Sequence, residues 1–196
     1  MEGGELDTRR PVRIRGRVWV LTDPSGRLWH NIDTDMIFHN RHLHLTELAQ
    51  MGQHALGNLP GWSDFAQRAR QGDIVVAGRN FGAGSSRQQA VDCFRALGIA
   101  ALLAESFGAI YKRNAINAGL AILTWPGLSA VVERGELTTG DEVQVDLETG
   151  EVRAARGTKW QAEPFSHVQM EIYQAGDLFA YGQRGGAERQ PVVQTG

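Results

Sequence analysis

Hydrophobic and polar positions alternate or cluster in a way that divides this chain into short strands and helices. Residues 13–21 (RIRGRVWVL) alternate well enough to predict a strand, and residues 31–38 (NIDTDMIF) read as a loop knotted by Asp33, Thr34 and Asp35. Thr46 is a candidate cap for a helix through TELAQMGQHAL; a linker with Gly57, Asn58, Pro60 and Gly61 and a short helix near residues 63–70 follow. The apolar run at residues 73–77 (DIVVA) predicts a buried strand. From Ser86 the period changes, with Ala90, Cys93, Phe94 and Leu97 at the spacing of a helix with one buried stripe. Gly98 stops that helix, and residues 99–103 (IAALL) predict the next strand. The helical pattern returns over residues 107–118, through Phe107, Ile110, Tyr111 and Asn114, before Gly119 and a strand at 120–124. Pro126 and Gly127 break the chain ahead of a helix at 129–134. This alternation of strand and helix predicts an α/β core with a parallel sheet. Residues 141–155 (DEVQVDLETGEVRAA) predict a hairpin turning at Glu148-Thr149-Gly150, and residues 167–181 a final helix.

The chain has 196 residues, which predicts one domain over residues 12–184, with flexible ends at 1–11 and 185–196. Its formal net charge is −2 with both signs interspersed, and no basic block points to nucleic acid. No apolar run is long enough for a bilayer and MEGGELDTRR lacks the apolar core of a signal peptide, so the expectation is a soluble cytoplasmic protein. There is one cysteine, Cys93, which excludes an intrachain disulfide and any all-cysteine iron–sulfur cluster held by this chain alone. Its position on the apolar stripe predicts a core residue.

The densest chemistry lies in GRNFGAGSSRQQA, residues 78–90, between a predicted buried strand and a helix. Ligands of α/β sheets bind beyond the carboxyl ends of strands, where helix N-termini offer free N–H groups. Gly82 and Gly84 allow close approach of a ligand to the backbone, and Ser85 and Ser86 are expected at or beside the helix cap. Arg87 falls in the expected first turn, where a cation opposes the helix dipole unless an anion offsets it. The helical period turns Ser86 and Arg87 towards the covered side. One reading is a carboxylate or phosphate site. The other makes Ser85 a cap, the glycines a turn and Arg87 the partner of a surface acid. The run lacks the lysine of a phosphate-binding loop, the third glycine of a dinucleotide fingerprint and the flanking glycines of a nucleophile elbow.

These thirteen residues, together with LGIAALLAESFGAIYKRNAINAGLAIL downstream, NIDTDMI upstream and GDEVQVDLETGEVRA near the C-terminus, resemble the small subunit of the aconitase superfamily. The resemblance runs from about Val12 to Gly182 and is nearest to the isopropylmalate dehydratase and homoaconitase branches. It implies a swivelling β/β/α domain that closes over a large partner subunit, in a heterodimer or heterotetramer, with a [4Fe–4S] cluster held by that partner. It also implies an isomerase-type hydro-lyase, which removes and re-adds water on a 2-hydroxy di- or tricarboxylic acid, the partner's iron acting on the departing hydroxyl. Matched residue by residue, Ser85 corresponds to the proton-abstracting base. Ser86 and Arg87, with Gly84 and Thr34 beside them, correspond to substrate-binding positions, and Asp35 to an acid that orders the site. For Asp35 an Asx-type turn holding its own loop is the alternative.

Two departures from the family's pattern stand out: Ala83 where relatives carry cysteine or a larger residue, and Gln88 where they carry glutamate. In the segment expected to read the variable substituent, Leu43 and Leu45 favour an alkyl group, while His44 falls near the position where homoaconitase-type members carry arginine. The expectation is an isopropyl-like or other small alkyl substituent, with citramalate- or dimethylmalate-type and homoaconitase substrates as alternatives. His39, His42 and His44 are expected to be loop residues rather than metal ligands. Beside an enzyme subunit stand two other classes, an anion-binding module without chemistry and a purely structural partner.

Overall fold

The structure is a computed structural model that describes residues 9–187. Its centre is β1 (Arg13–Val20), which changes partner along its length. Arg13 to Arg17 pair antiparallel with β5 (Glu142–Asp146), and Val18 to Val20 pair parallel with β2 (Ile74–Ala77). Beyond β2 lie β3 (Ala101–Ala104) and β4 (Ala121–Thr124), both parallel. Beyond β5 lie β6 (Glu151–Ala154) and β7 (Lys159–Gln161), both antiparallel. The result is one seven-stranded sheet in the order β4-β3-β2-β1-β5-β6-β7. β2 and β3 are buried throughout, as strands covered on both faces must be, which explains their unbroken apolar sequences.

Two apolar clusters lie against the sheet. One joins Trp19, Phe65, Phe81, Phe94 and Tyr111; the other joins Ile14, Val76, Leu103, Leu123 and Val145. Asp73, at the start of β2, is buried but well partnered: Arg17 Nη2 lies 2.6 Å from its carboxylate, and Trp19 Nε1 and the Arg70 N–H also donate to it. Connecting the parallel strands are α4 (Gln89–Ala96) and α5 (Ala109–Asn117), with α6 (Leu128–Glu133) after β4.

Four elements differ from the expectations. The loop at 31–38 contains one helical turn, α1 (Thr34–Ile37), because the Asp33 carboxylate accepts from the Met36 N–H at 2.8 Å and caps it. The helix expected from Thr46 is only α2 (Leu48–Met51), running into a 3₁₀ turn at Gly52–His54; Thr46 does not cap it, and Glu47 stands at the cap position. After it comes α3 (Phe65–Arg68). The last helix is two, α7 (His167–Ala175) and α8 (Leu178–Ala187), separated at Gly176, whose φ of 107° no helix continues through. α8 therefore carries helix into the expected tail. Residues 188–196 and 1–8 lie outside the described residues. At the other end Arg10 is tied down, with its N–H donating to Gln174 Oε1 at 2.9 Å. Among the described residues no helix is long and apolar enough to cross a membrane.

Candidate active site

The carboxyl ends of β1, β2 and β3 release three loops that lie side by side. Gly82 N–H donates to the Ile32 carbonyl at 2.8 Å and Thr34 N–H to the Ala83 carbonyl at 2.9 Å, so the Asp-Thr-Asp loop and the glycine–serine loop form a short parallel ladder. On the other side Phe81 N–H donates to the Ser106 carbonyl and Gly108 N–H to the Phe81 carbonyl. At the loop's base Asn31 and Asn80 both adopt positive φ, and Asn80 Nδ2 donates to Asn31 Oδ1 at 3.1 Å. Gly82, at φ 75°, lies flat on the Tyr111 ring, and a Cβ there would run into the ring. Gly84, at φ 93°, opens beside Thr34 Oγ1 and Asp33. Thr34 is buried beneath this loop.

The expected cap geometry is corrected. α4 begins at Gln89 with Gln88 at its cap position, so Ser85, Ser86 and Arg87 precede the helix. The helical period therefore does not turn Ser86 inward; Ser85 and Ser86 are both exposed. The reason is tertiary: residues 86 and 87 are held by partners far away in the chain. Asn114 Nδ2, on α5, donates to Ser86 Oγ at 3.2 Å. Arg87, whose side chain is 16% exposed, places Nη1 2.7 Å from Asp35 Oδ1 and 3.3 Å from the Phe38 carbonyl. Its Nε and Nη2 have no partner among the described residues. Ser85 Oγ likewise has none, and the N–H groups of residues 84–87 donate to no described residue. A run of open N–H groups beside two open guanidinium nitrogens has the chemistry suited to an anion, built from loop backbone rather than from a helix terminus.

Asp35 is fully engaged within the chain. Besides Arg87, Oδ1 accepts from the Asn40 N–H at 3.0 Å and Oδ2 from Asn58 Nδ2 at 3.1 Å. The hydrogen bond from Arg87 holds its carboxyl below the usual carboxylate range, against an opposing push from burial. Asp33 caps α1, and Asp35 also ties down its own segment through the Asn40 N–H, so the loop-holding reading of Asp35 and its contact with Arg87 stand side by side. Both departures at 83 and 88 become intelligible. Ala83 contributes through its backbone, and Gln88 reaches along α4 to Asp92, while the carboxylate for Arg87 comes from Asp35.

The neighbouring segment carries Leu43, 38% exposed, whose carbonyl accepts from Gln89 Nε2 on α4 at 3.4 Å. His44 Nδ1 lies 3.0 Å from the Arg41 carbonyl, so the imidazole helps to hold its own turn. His42 stacks on His54 with centroids 3.7 Å apart and takes a hydrogen bond from Arg41 Nε at 2.9 Å. Burial and the nearby cations lower the pKa of both imidazoles. Asn58, Arg41 and the Gln89 contact had no signal in sequence, because nothing in local spacing brings them here. Asn114 was visible as a polar residue on an apolar helix face, and its half-buried amide is satisfied by Ser86.

This chain's own side chains do not fit an iron–sulfur cluster. Cys93 is wholly buried, its Sγ is directed at the Ala90 carbonyl, and burial pushes the thiol far above its ordinary pKa. Among the described residues no group of three or more His, Cys, Asp or Glu side chains is arranged to hold a metal ion.

Fold and site together define an α/β domain that presents a hydroxyl, open N–H groups and a fixed guanidinium on one loop beyond the carboxyl ends of parallel strands. Residues 30–127 match the family described as the Aconitase C-terminal domain, and the chain belongs to that family. It is 40% identical to the methanogen homoaconitase small subunit of Methanothermobacter thermautotrophicus, over 84% of this chain and 88% of that one. It is 39% identical to the 3-isopropylmalate dehydratase small subunit of Aquifex aeolicus, over 87% and 94%. The crystal structure of a 3-isopropylmalate dehydratase from Methanocaldococcus jannaschii superposes with a TM-score of 0.76 at 30% identity, covering 90% of this chain and 97% of that one.

Proposed function

We propose that the chain is the small subunit of a cytoplasmic hydro-lyase, of the 3-isopropylmalate dehydratase type, that works only with a large iron–sulfur subunit. What carries the reading is the pair Arg87–Asp35, which fixes a guanidinium two residues beyond an unpartnered Ser85 in a chain of this family. Arg87 Nε and Nη2 and the open N–H groups of residues 84–87 grip one substrate carboxylate. Ser86, oriented by Asn114, adds a further hydrogen bond. Ser85 Oγ, present as its alkoxide, then takes the proton from the carbon next to that carboxylate and becomes the neutral hydroxyl. A serine hydroxyl is a feeble base in water, so its alkoxide needs the same N–H groups and the Arg87 charge in a site the partner closes to solvent. Asp35 is a positioning residue: both its oxygens are spent inside the chain, and it acts through Arg87. In this reading the cluster belongs to the partner, as no side chain among the described residues is placed to hold it, and it would supply Lewis-acid chemistry there.

For the substrate's variable group the exposed Leu43 supports an alkyl substituent of isopropyl kind. Homoaconitase- or citramalate-type specificity is the second reading, supported by Arg41 and His44 in the same segment. The test is reconstitution with a cluster-loaded large subunit and assay on isopropylmalate, homocitrate and citramalate. Ser85→Ala is expected to assemble normally and lose about 10³-fold in kcat. Full turnover in that variant would exclude Ser85 as the base, and a strong preference for homocitrate would exclude the alkyl reading.

A further inference from the structure

The opposite end of the parallel strands carries a second basic site. A cavity of about 540 Å³ opens where the chain enters β2, β3 and β4, and Gly72, Ile99 and Gly119 form its floor. Four arginines line it, Arg10, Arg13, Arg15 and Arg95, and among the described residues no carboxylate does. Three have acid partners outside the cavity, each through a single nitrogen: Arg13 Nε with Asp146, Arg15 Nη2 with Glu142, and Arg95 Nη1 with Asp92.

Arg10 is different. Its guanidinium carbon lies 3.8 Å above the Tyr173 ring, and Nη1 donates to the carbonyls of Gly119 at 2.7 Å and Tyr173 at 3.0 Å. The group is half-buried, yet no carboxylate among the described residues pairs with it. Burial lowers its pKa, and the like charge of Arg95 lowers it further. A cation drawn out of water and held near a second cation is costly unless an anion joins them. The rigid stacking on Tyr173 removes the side-chain entropy that a binding arginine ordinarily loses. The volume suits a small metabolite, and the polar lining suits a charged one.

We propose that this cavity binds a small multivalent anion, a di- or tricarboxylate or a phosphate compound, between Arg10 and Arg95 with Arg13 and Arg15 at its mouth. It is a site separate from the one containing Ser85, at the other end of the strands, and it does not rest on the proposed activity.

The test uses the full chain carrying Arg87→Gln, which disables the carboxylate clamp at the far end. Calorimetric titration with citrate, inorganic phosphate and acetate at constant ionic strength is expected to show one saturable site for citrate or phosphate, at least ~10-fold tighter than for acetate. Preference between the two multivalent probes identifies the ligand's chemistry. Adding Arg10→Gln or Arg95→Gln is expected to weaken binding at least ~10-fold, whereas Arg134→Gln, at an exposed arginine paired with Glu136, leaves it unchanged. Arg10→Lys separates charge from packing: it keeps the cation and is expected to retain part of the affinity. No saturable binding of either multivalent anion would overturn the proposal. So would binding that both Arg10→Gln and Arg95→Gln leave intact.

Discussion

The glycine–serine loop, residues 78–87, and the histidine-rich segment, residues 39–54, border the same site but are held by different means. The loop is locked by backbone hydrogen bonds to the loops on either side of it, and Gly82 lies flat on Tyr111. The segment is held by side chains: the His42–His54 stack, His44 on the Arg41 carbonyl and Gln89 on the Leu43 carbonyl. Backbone contacts are indifferent to side-chain identity, whereas side-chain contacts change with every substitution. The end of the loop adds two side-chain ties of its own, Arg87 to Asp35 and Asn114 to Ser86, so residues 86 and 87 depend on residue identity as the histidine-rich segment does, while the glycine half does not.

The largest expected effect breaks the rigid half. Gly82→Ala combines a collision with Tyr111 and a positive φ, and is expected to destabilise the chain by about 3 kcal/mol or more, read by urea unfolding. Near-normal stability would mean that the loop is not locked as described. Next, Asp35→Asn removes the charge that orients Arg87 without touching the substrate. In the reconstituted enzyme kcat/KM is expected to fall about 10–100-fold, with Tm nearly unchanged. On the adaptable half, Leu43→Arg is expected to shift preference from an alkyl to a carboxylate substituent by about 10-fold, with folding unaffected.

The smallest effect distinguishes the two halves by pH. Lowered folded pKa values mean that the His42–His54 stack favours neutral rings, so its stabilisation is full above the unfolded value of 6.5 and is lost as pH falls through the folded values. The lowered Asp35 pKa has the same sign but a more acidic window: its contribution holds above the unfolded value of 3.8 and goes only as pH falls through the folded one. Once the slower intrinsic exchange at low pH is corrected for, the opening constants read by hydrogen exchange between about pH 7 and about pH 5 are thus expected to rise in residues 39–54 and stay flat in residues 78–87. In His54→Gln the rise is expected to shrink.

Much of this was legible in the sequence, and the exceptions share a cause. The strands at 74–77, 101–104 and 121–124 announce themselves because burial on both faces demands unbroken apolar runs. The start of α4 does not. A serine pair before a helical stripe has the local signature of a cap, and only Asn114 and Asp35, 28 and 52 residues away in the chain, show that residues 86 and 87 are committed elsewhere. Likewise β7 is three residues without a clear pattern, and it exists because β6 offers it an edge. The pairing of Arg87 with an acid and its role as an anion clamp were separate readings in sequence. In the structure Nη1 takes the acid and the other nitrogens have no partner among the described residues, so the two readings do not exclude each other.

The change of partner along β1 has a consequence for how the chain is made. Arg13 hydrogen-bonds across a separation of 133 residues to Asp146, so the first half of that strand has no neighbour until the ribosome has delivered β5. Its second half can dock on β2 much earlier. Long-range pairing of this kind slows folding and leaves an open edge meanwhile. Arg13 and Arg15 stand on that edge, and charged side chains on an open edge disfavour pairing with a second copy.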